Sequence, residues 1–198
     1  MTTQRSRKKI KTKNFDEQTL NTLVNEINRL YISHRKTYLK QFIDKNTEKG
    51  ETRTIKYDDT KPKNYTNLPL NDELIRRHLL GKQRQNFGVI NPKVTKILTF
   101  DFDILDDSIR KFYYRKVQAA LHELGIEESN YIVNRSGKKG IHLTVFFDKV
   151  HTHKAEKLYK NVIAMIRDDD IDKKYLDKSL IEAIECMGLS HGLKLPLC

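Results

Sequence analysis

Hydrophobic positions near the start of the chain recur every three or four residues, the spacing that puts side chains on one face of an α-helix. Within residues 15–42 these positions are Leu20, Leu23, Val24, Ile27, Leu30 and Tyr31. The spacing predicts a helix from Phe15 to about Phe42. Residues 44–70 are instead rich in Lys, Asp, Asn, Thr and Pro, which predicts a loop or linker with one short strand at Thr52–Tyr57.

Beyond residue 70 the pattern consists of short apolar runs separated by amphipathic stretches. Asn71 is placed to cap a short helix that runs through Leu80 and stops at Gly81. The strands predicted further along the chain are Phe87–Ile90, Lys96–Asp103, Tyr131–Asn134, Ile141–Phe147 and a strand start at Leu193–Leu197. The helices predicted there are Ser108–Leu124, Ala155–Ile166 and Tyr175–Met187. This order predicts an α+β domain in two layers, a mixed sheet covered by helices, with residues 130–147 forming a hairpin.

The same pattern divides the chain into three parts. Residues 1–14 are predicted to be a flexible basic arm, because residues 1–13 contain six Lys or Arg and no acid. Residues 15–70 form the helical element and linker, and residues 71–198 form the main domain.

Composition narrows the class of protein. A formal net charge of +12, from 38 Lys and Arg against 26 Asp and Glu, favours a polyanionic partner, of which nucleic acid is the commonest. Neither Cys186 nor Cys198 lies in a C-x-x-C pair, which argues against a disulfide framework or a thiolate zinc site and suits a reducing compartment. No run of 18 apolar residues exists, and the basic N-terminus lacks the apolar region of a secretory signal. We therefore expect no membrane association and no secretion.

The predicted strand Lys96–Asp103 ends with two aspartates. Because side chains alternate along a strand, Leu98, Phe100 and Phe102 point to one face, and Asp101 and Asp103 point together to the other. Two neighbouring carboxylates repel each other unless a cation binds between them, and oxygen ligands favour Mg²⁺ or Mn²⁺ over zinc. The alternative is a sheet edge with two solvated acids, since sugar-nucleotide transferases and phosphatases also carry D-x-D.

A glycine-rich basic turn follows the next strand. It reads Asn134-Arg135-Ser136-Gly137-Lys138-Lys139-Gly140-Ile141-His142. Two glycines permit a tight turn whose exposed N–H groups bind anions, and Arg135, Lys138 and Lys139 add positive charge suited to a triphosphate. His142 falls on the polar face of the following strand, where it can donate to a phosphate. The alternative is a plain hairpin with a lysine-rich tip and a surface histidine.

Together the two segments resemble the motifs of the archaeo-eukaryotic primase superfamily. Its first motif is an apolar strand ending in D-h-D or D-h-E, as in Leu98-Thr99-Phe100-Asp101-Phe102-Asp103. Its second is S-G-x-x-G-x-H before an apolar strand, as in Ser136-Gly137-Lys138-Lys139-Gly140-Ile141-His142-Leu143. His78-Leu79 and Phe87-Gly88-Val89 also resemble the lead-in of primase domains from mobile-element conflict systems.

The resemblance implies an RRM-like catalytic core within residues 71–198, and it implies further site residues. Leu176-Asp177 and the later His191-Gly192-Leu193-Lys194-Leu195-Pro196 resemble the family's third carboxylate and its basic residue. Asp177 is thus the candidate third metal ligand, with Asp172 as its competitor. Since the family continues with further strands, we expect the domain to be truncated after Cys198.

The activity implied by the resemblance is template-dependent nucleotide transfer. Asp101, Asp103 and Asp177 would hold two Mg²⁺ or Mn²⁺ ions. The nucleoside triphosphate would be bound by Arg135, Ser136, Gly137, Lys138, Lys139, Gly140, His142 and Lys194. Lys194 could alternatively contact the template backbone. The implied partners are a DNA or RNA template and a helicase or accessory replication subunit, in the cytoplasm or nucleoid where replication occurs.

Two other classes compete with this interpretation. One is a non-catalytic primase-fold module that binds nucleic acid in plasmid, phage or transposon replication or in defence. The other is a DXD glycosyltransferase, which fits the +12 charge poorly and gives no reason for the Gly-Lys-Lys-Gly turn.

Overall fold

The structure is a computed structural model that describes residues 14–43, 50–58, 60, 68–81, 85–135, 140–167, 177–189 and 191–196. The helices in these ranges are α1 (Glu17–Leu30), α2 (Asp72–Leu79), α3 (Asp107–Glu123), α4 (Thr152–Arg167) and α5 (Lys178–Glu182). The strands are β1 (Thr37–Ile43), β2 (Gly50–Lys56), β3 (Gln85–Val89), β4 (Val94–Phe102), β5 (Tyr131–Arg135), β6 (Ile141–His151), β7 (Ile184–Met187) and β8 (Leu193–Lys194). The predicted basic arm lies outside the described residues. None of the helices described here is long and apolar enough to cross a membrane.

The strands form two sheets. The first has the order β2-β1-β3-β8 and the second β5-β6-β4-β7, and every pairing is antiparallel. The α+β class, the leading helix and the antiparallel pairing of β5 with β6 within residues 130–147 are therefore confirmed. The single mixed sheet expected from the sequence is instead divided into these two antiparallel sheets.

The first predicted helix was too long. α1 begins after its N-cap Asp16 and ends at Leu30, and β1 starts at Thr37. Helical spacing stops at Tyr31, after which the polar run Ser33-His34-Arg35-Lys36 offers no apolar face. In β1 the buried Tyr38 instead anchors a strand, and its hydroxyl donates to the Leu68 carbonyl at 2.9 Å.

The predicted linker contains a strand of this first sheet. β2 pairs with β1 from Gly50↔Ile43 to Lys56↔Thr37, so the strand predicted at Thr52–Tyr57 is confirmed with slightly earlier bounds. β1 in turn pairs with β3, and β3 with β8. Segments from both sides of residue 70 thus share one sheet.

The last predicted helix divides into a helix and a strand. α5 covers only five residues, and β7 follows at Ile184–Met187. Ile181 and Ile184 are three residues apart, which imitates a helical face, and both are buried. From Ile184 onward, however, the sequence alternates apolar and polar, and β7 pairs with β4 along that stretch.

Two hydrophobic clusters determine which surface is left open. One packs the face of the second sheet that carries Phe100 and Phe102 against α3, α4 and α5. The other joins α1, α2 and the first sheet to Ile97, Phe146 and Met187 at one end of the opposite face. Apart from the exposed Ile132 on β5, the strands carry polar side chains on the rest of that opposite face, and the candidate site lies there.

Candidate active site

Asp101 lies where the alternation along β4 predicts it. Phe100 and Phe102 are fully buried on the helix-covered face, whereas the Asp101 side chain is 18% exposed on the other face. Burial of the two aromatic side chains fixes the direction of the carboxylate, because rotating the strand would expose both rings. Each ring contributes about 1.5–3 kcal/mol by burial.

Four polar residues form a row across all four strands of this sheet. Asn134 on β5 is opposite His142 on β6, His142 is opposite Asp101 on β4, and Asp101 is opposite Glu185 on β7. Side chains directly opposite on neighbouring strands share a face and lie roughly 5 Å apart at Cβ. We call Asn134, His142, Asp101 and Glu185 the polar row.

The centre of the polar row contains an unsatisfied acceptor. Nε2 of His142 lies 3.3 Å from Oδ1 of Asp101, and the two side chains are 16% and 18% exposed. The approach lacks hydrogen-bond geometry, so Oδ1 is buried without a hydrogen-bond partner among the described residues. A buried carboxylate oxygen without a donor is unfavourable, and a cation or a bound donor at this point would relieve it.

Two buried hydroxyl groups lie next to the polar row on the same face of the sheet. Thr99 and Thr144 occupy the next same-face positions on β4 and β6, and their hydroxyl oxygens are 2.9 Å apart. Both residues are at most 1% exposed. Their hydrogen bond satisfies two polar groups and holds β4 and β6 in register beside Asp101 and His142.

Two further carboxylates flank Asp101, Asp103 along the chain and Glu185 across the sheet. Asp103 follows the last residue of β4 and is exposed. Glu185 is also exposed and is paired directly with Asp101. Sequence reasoning missed Glu185 because it placed the residue in a helix. The alternation Ile184-Glu185-Cys186 was the signal that could have found it.

Asp177, the predicted third ligand, has a different place in the structure. It is the N-cap of α5, and its carboxylate accepts from the Ser179 hydroxyl at 2.7 Å and the Ser179 amide at 2.8 Å. These hydrogen bonds lower the pKa of the Asp177 carboxyl below its ordinary value of 3.8. Its backbone bonds to the Tyr113 hydroxyl, and Tyr113 belongs to the cluster on the helix-covered face. The structure therefore does not bring Asp177 into the polar row, and the competitor Asp172 lies outside the described residues.

The residues predicted to bind the triphosphate are dispersed. Arg135 is opposite Ile141, so it falls on the face of the hairpin opposite to Asn134 and His142. Gly140 is buried beside His142's strand, and Ser136, Gly137, Lys138 and Lys139 lie outside the described residues. Lys194 is exposed on β8 of the first sheet, opposite Gly88.

The donor chemistry of the row fits a hard divalent cation. Asp101 and Glu185 in the row, and Asp103 two residues after Asp101, carry carboxylate oxygens, the ligands that Mg²⁺ and Mn²⁺ prefer, and Oδ1 of Asp101 has no hydrogen-bond partner among the described residues. Within the described ranges, no three His, Cys, Asp or Glu side chains already stand close enough together to form a metal site.

A known protein family matches most of this chain. The sequence model described as "TOTE conflict system, Archaeo-Eukaryotic Primase domain" matches residues 27–180. The match begins within α1 and ends within α5, so it includes both sheets except β7 and β8. Comparison with curated proteins gives no match.

Proposed function

Because this chain belongs to the archaeo-eukaryotic primase domain family of TOTE conflict systems, we propose that it is a nucleotidyltransferase that joins nucleotides along a nucleic-acid template. The observation that carries the proposal is the buried, unsatisfied Oδ1 of Asp101 between His142 and Glu185. Such a carboxylate, on a face that the helices leave open, is suited to hold a cation at which phosphate groups react.

In this proposal Asp101, Asp103 and Glu185 would hold two Mg²⁺ or Mn²⁺ ions. Bound ions of this kind lower the pKa of an attacking 3′-hydroxyl and neutralise charge on the triphosphate. Glu185 takes the role that the sequence suggested for Asp177, because the paired strands place Glu185 directly beside Asp101.

His142 has a separate role at the edge of the ion site. Its Nε2 is on the open face and 3.3 Å from the Asp101 carboxylate. An N–H at Nε2 can donate to a phosphate oxygen. His142 would therefore orient the triphosphate, and the residues that the sequence motif groups with it, Ser136 to Gly140, would bind the remaining oxygens.

The partners follow from the same chemistry. A DNA or RNA template, held through salt-sensitive contacts of the basic surface, would direct the choice of nucleoside triphosphate. Lys194 would contact the nucleotide or the template, and a helicase or accessory replication subunit would supply the unwound strand.

The test is a primer-extension assay with Mg²⁺ or Mn²⁺. Asp101→Asn with Asp103→Asn keeps the side-chain shape and removes both charges. Ion-assisted stabilisation of several kcal/mol corresponds to a loss of about a thousandfold or more in rate. Asp148→Asn, which removes an exposed carboxylate from β6, is the matched control and should retain activity. Undiminished synthesis by the double variant would refute the ion site, whereas template binding without synthesis by the wild-type protein would favour the non-catalytic module.

A further inference from the structure

A cavity lies on the other side of the β5–β6 pair from His142. It has a volume of about 500 Å³ and lies between the first turns of α3 and the strand β5. Its polar lining comes from Asp107, Arg110 and Lys111 on α3 and from Asn134 and Arg135 on β5. We call this space the α3–β5 cavity.

The charge of the α3–β5 cavity is unbalanced. Among the described residues, three cationic side chains, Arg110, Lys111 and Arg135, line it together with the single carboxylate of Asp107. Asp107 is already engaged by two of them, because it pairs with Arg110 and its Oδ2 is 2.7 Å from Nζ of Lys111. Arg135 adds a further exposed positive charge at the edge. The carboxylate of Asp107 neutralises only one of these three positive charges, so the cavity attracts a further anion.

Arg110 gives the cavity a built donor. The residue is 9% exposed, its Nη1 donates to the Ile104 carbonyl at 2.7 Å, and its Nη2 donates to Asp107. Its Nε is buried and has no hydrogen-bond partner within the described part of the chain. A guanidinium N–H left without an acceptor is unfavourable, so Arg110, which lines the cavity, has one donor that nothing in the described part of the chain satisfies.

The remaining lining indicates which anion fits. Leu105, Val133 and Ile141 add apolar surface, and Leu105 is 78% exposed. Arginine, lysine and amide donors beside apolar side chains suit a phosphate that carries an organic group, such as a nucleotide unit. Asn134 lines the cavity and also belongs to the polar row, so a ligand could reach from the row around the edge strand β5.

We propose that the α3–β5 cavity is a second phosphate-binding site, which takes a phosphate group of a nucleic-acid strand or of a free nucleotide. The site concerns binding alone and lies apart from the ions of the proposed reaction. In this site Arg135 would bind a phosphate on the face of β5 opposite to His142.

The experiment measures binding in EDTA, so that no ion at the polar row contributes. Lys111→Gln with Arg135→Gln removes two exposed charges from the cavity, and Lys157→Gln with Lys160→Gln removes two exposed charges from α4 as the matched control. Arg110 stays unchanged because it also holds the Ile104 carbonyl. The probes are a fluorescein-labelled 12-nucleotide single strand, followed by anisotropy at several salt concentrations, and ATP, followed by calorimetry.

We expect the cavity variant to bind the single strand about tenfold more weakly, with the slope of log K against log salt reduced by about 1.4, because each lost phosphate contact on a single strand removes about 0.7. Weakened strand binding with unchanged ATP binding identifies a strand phosphate as the ligand, and weakened binding of both probes identifies a nucleotide phosphate. The proposal is overturned if both probes bind the variant as tightly as wild type, or if the α4 control loses as much affinity.

Two checks keep the test decisive. Thermal unfolding of the cavity variant should match wild type, and if it does not, Arg135→Gln alone, at an exposed edge position, replaces it. Because binding in EDTA does not depend on catalysis, a protein that fails the primer-extension test can still pass this one.

Discussion

Replacing Glu185 by Gln should raise the stability of the metal-free protein and reduce the stabilisation that Mn²⁺ gives. The substitution keeps the shape of the side chain and removes its charge. In the metal-free protein Glu185 is directly opposite Asp101, and like charges at such positions destabilise a sheet by roughly 0.2–1 kcal/mol. The metal-free variant should therefore be slightly more stable than wild type.

The size of this gain can be converted into a melting temperature. For a chain of about 200 residues, 1 kcal/mol shifts Tm by roughly 2–4 °C. Glu185 is exposed, so solvent screening puts the gain in the lower half of the roughly 0.2–1 kcal/mol, which corresponds to a rise in Tm of about 0.5–2 °C. With Mn²⁺ present we expect the order to reverse, because in the proposed site an ion held by three carboxylates in wild type would have only two in the variant.

The assay is thermal unfolding with EDTA and with a series of Mn²⁺ concentrations, beside primer extension at the same concentrations. The Mn²⁺-induced rise in Tm should shrink in Glu185→Gln, and the extension rate should fall by about a hundredfold, which is about 2.7 kcal/mol. Glu182→Gln, on α5 and paired only loosely with Arg167 at 3.8 Å, is the matched control. An equal Mn²⁺-induced rise in the variant and in wild type would refute the assignment of Glu185 as a ligand.

Three further predictions concern the frame of the site. Phe100→Ala should lower the free energy of unfolding by about 3–5 kcal/mol in urea denaturation, because it empties a fully buried position; a loss below 1 kcal/mol would contradict that packing. Thr144→Val should cost about 1–3 kcal/mol by leaving the Thr99 hydroxyl without its partner, and Thr99→Val with Thr144→Val should cost less than the two single changes together. Asp177→Ala should lower Tm at pH 7, because it removes the cap of α5. Hydrogen bonding from Ser179 depresses the pKa of Asp177 in the folded state, so the difference in Tm from wild type should disappear as pH falls below about 4. Asp177→Asn should keep the cap without that pH dependence.

Alternation along a strand was the most informative part of the sequence. It placed Asp101 and His142 on the polar faces of β4 and β6, and the structure pairs them directly. The same rule, applied to β5, puts Asn134 with His142 and turns Arg135 away. Arg135 was grouped with the glycine-rich segment because of its charge. Alternation along the strand already indicated that its side chain lies on the opposite face from His142.

Pairing between distant segments could not be predicted in the same way. Glu185 becomes a neighbour of Asp101 only because β7 adds to the edge of β4, which the local pattern around residues 175–187 does not indicate. Likewise, β1 is a strand because β2 and β3 flank it. In both cases non-local contacts decide between a helix and a strand whose local preferences are similar.

The strand order of the second sheet also governs when its parts become available during synthesis. β4 leaves the ribosome first, β5 and β6 follow, and β7 comes last, although β7 lies beside β4 in the finished sheet. Until β7 arrives, one edge of β4 has exposed N–H and C=O groups next to Asp101, the kind of edge at which nascent chains associate wrongly. Docking of β7 closes that edge and adds Glu185 in a single step, so the nascent protein gains its last carboxylate only when β4 is protected on both sides.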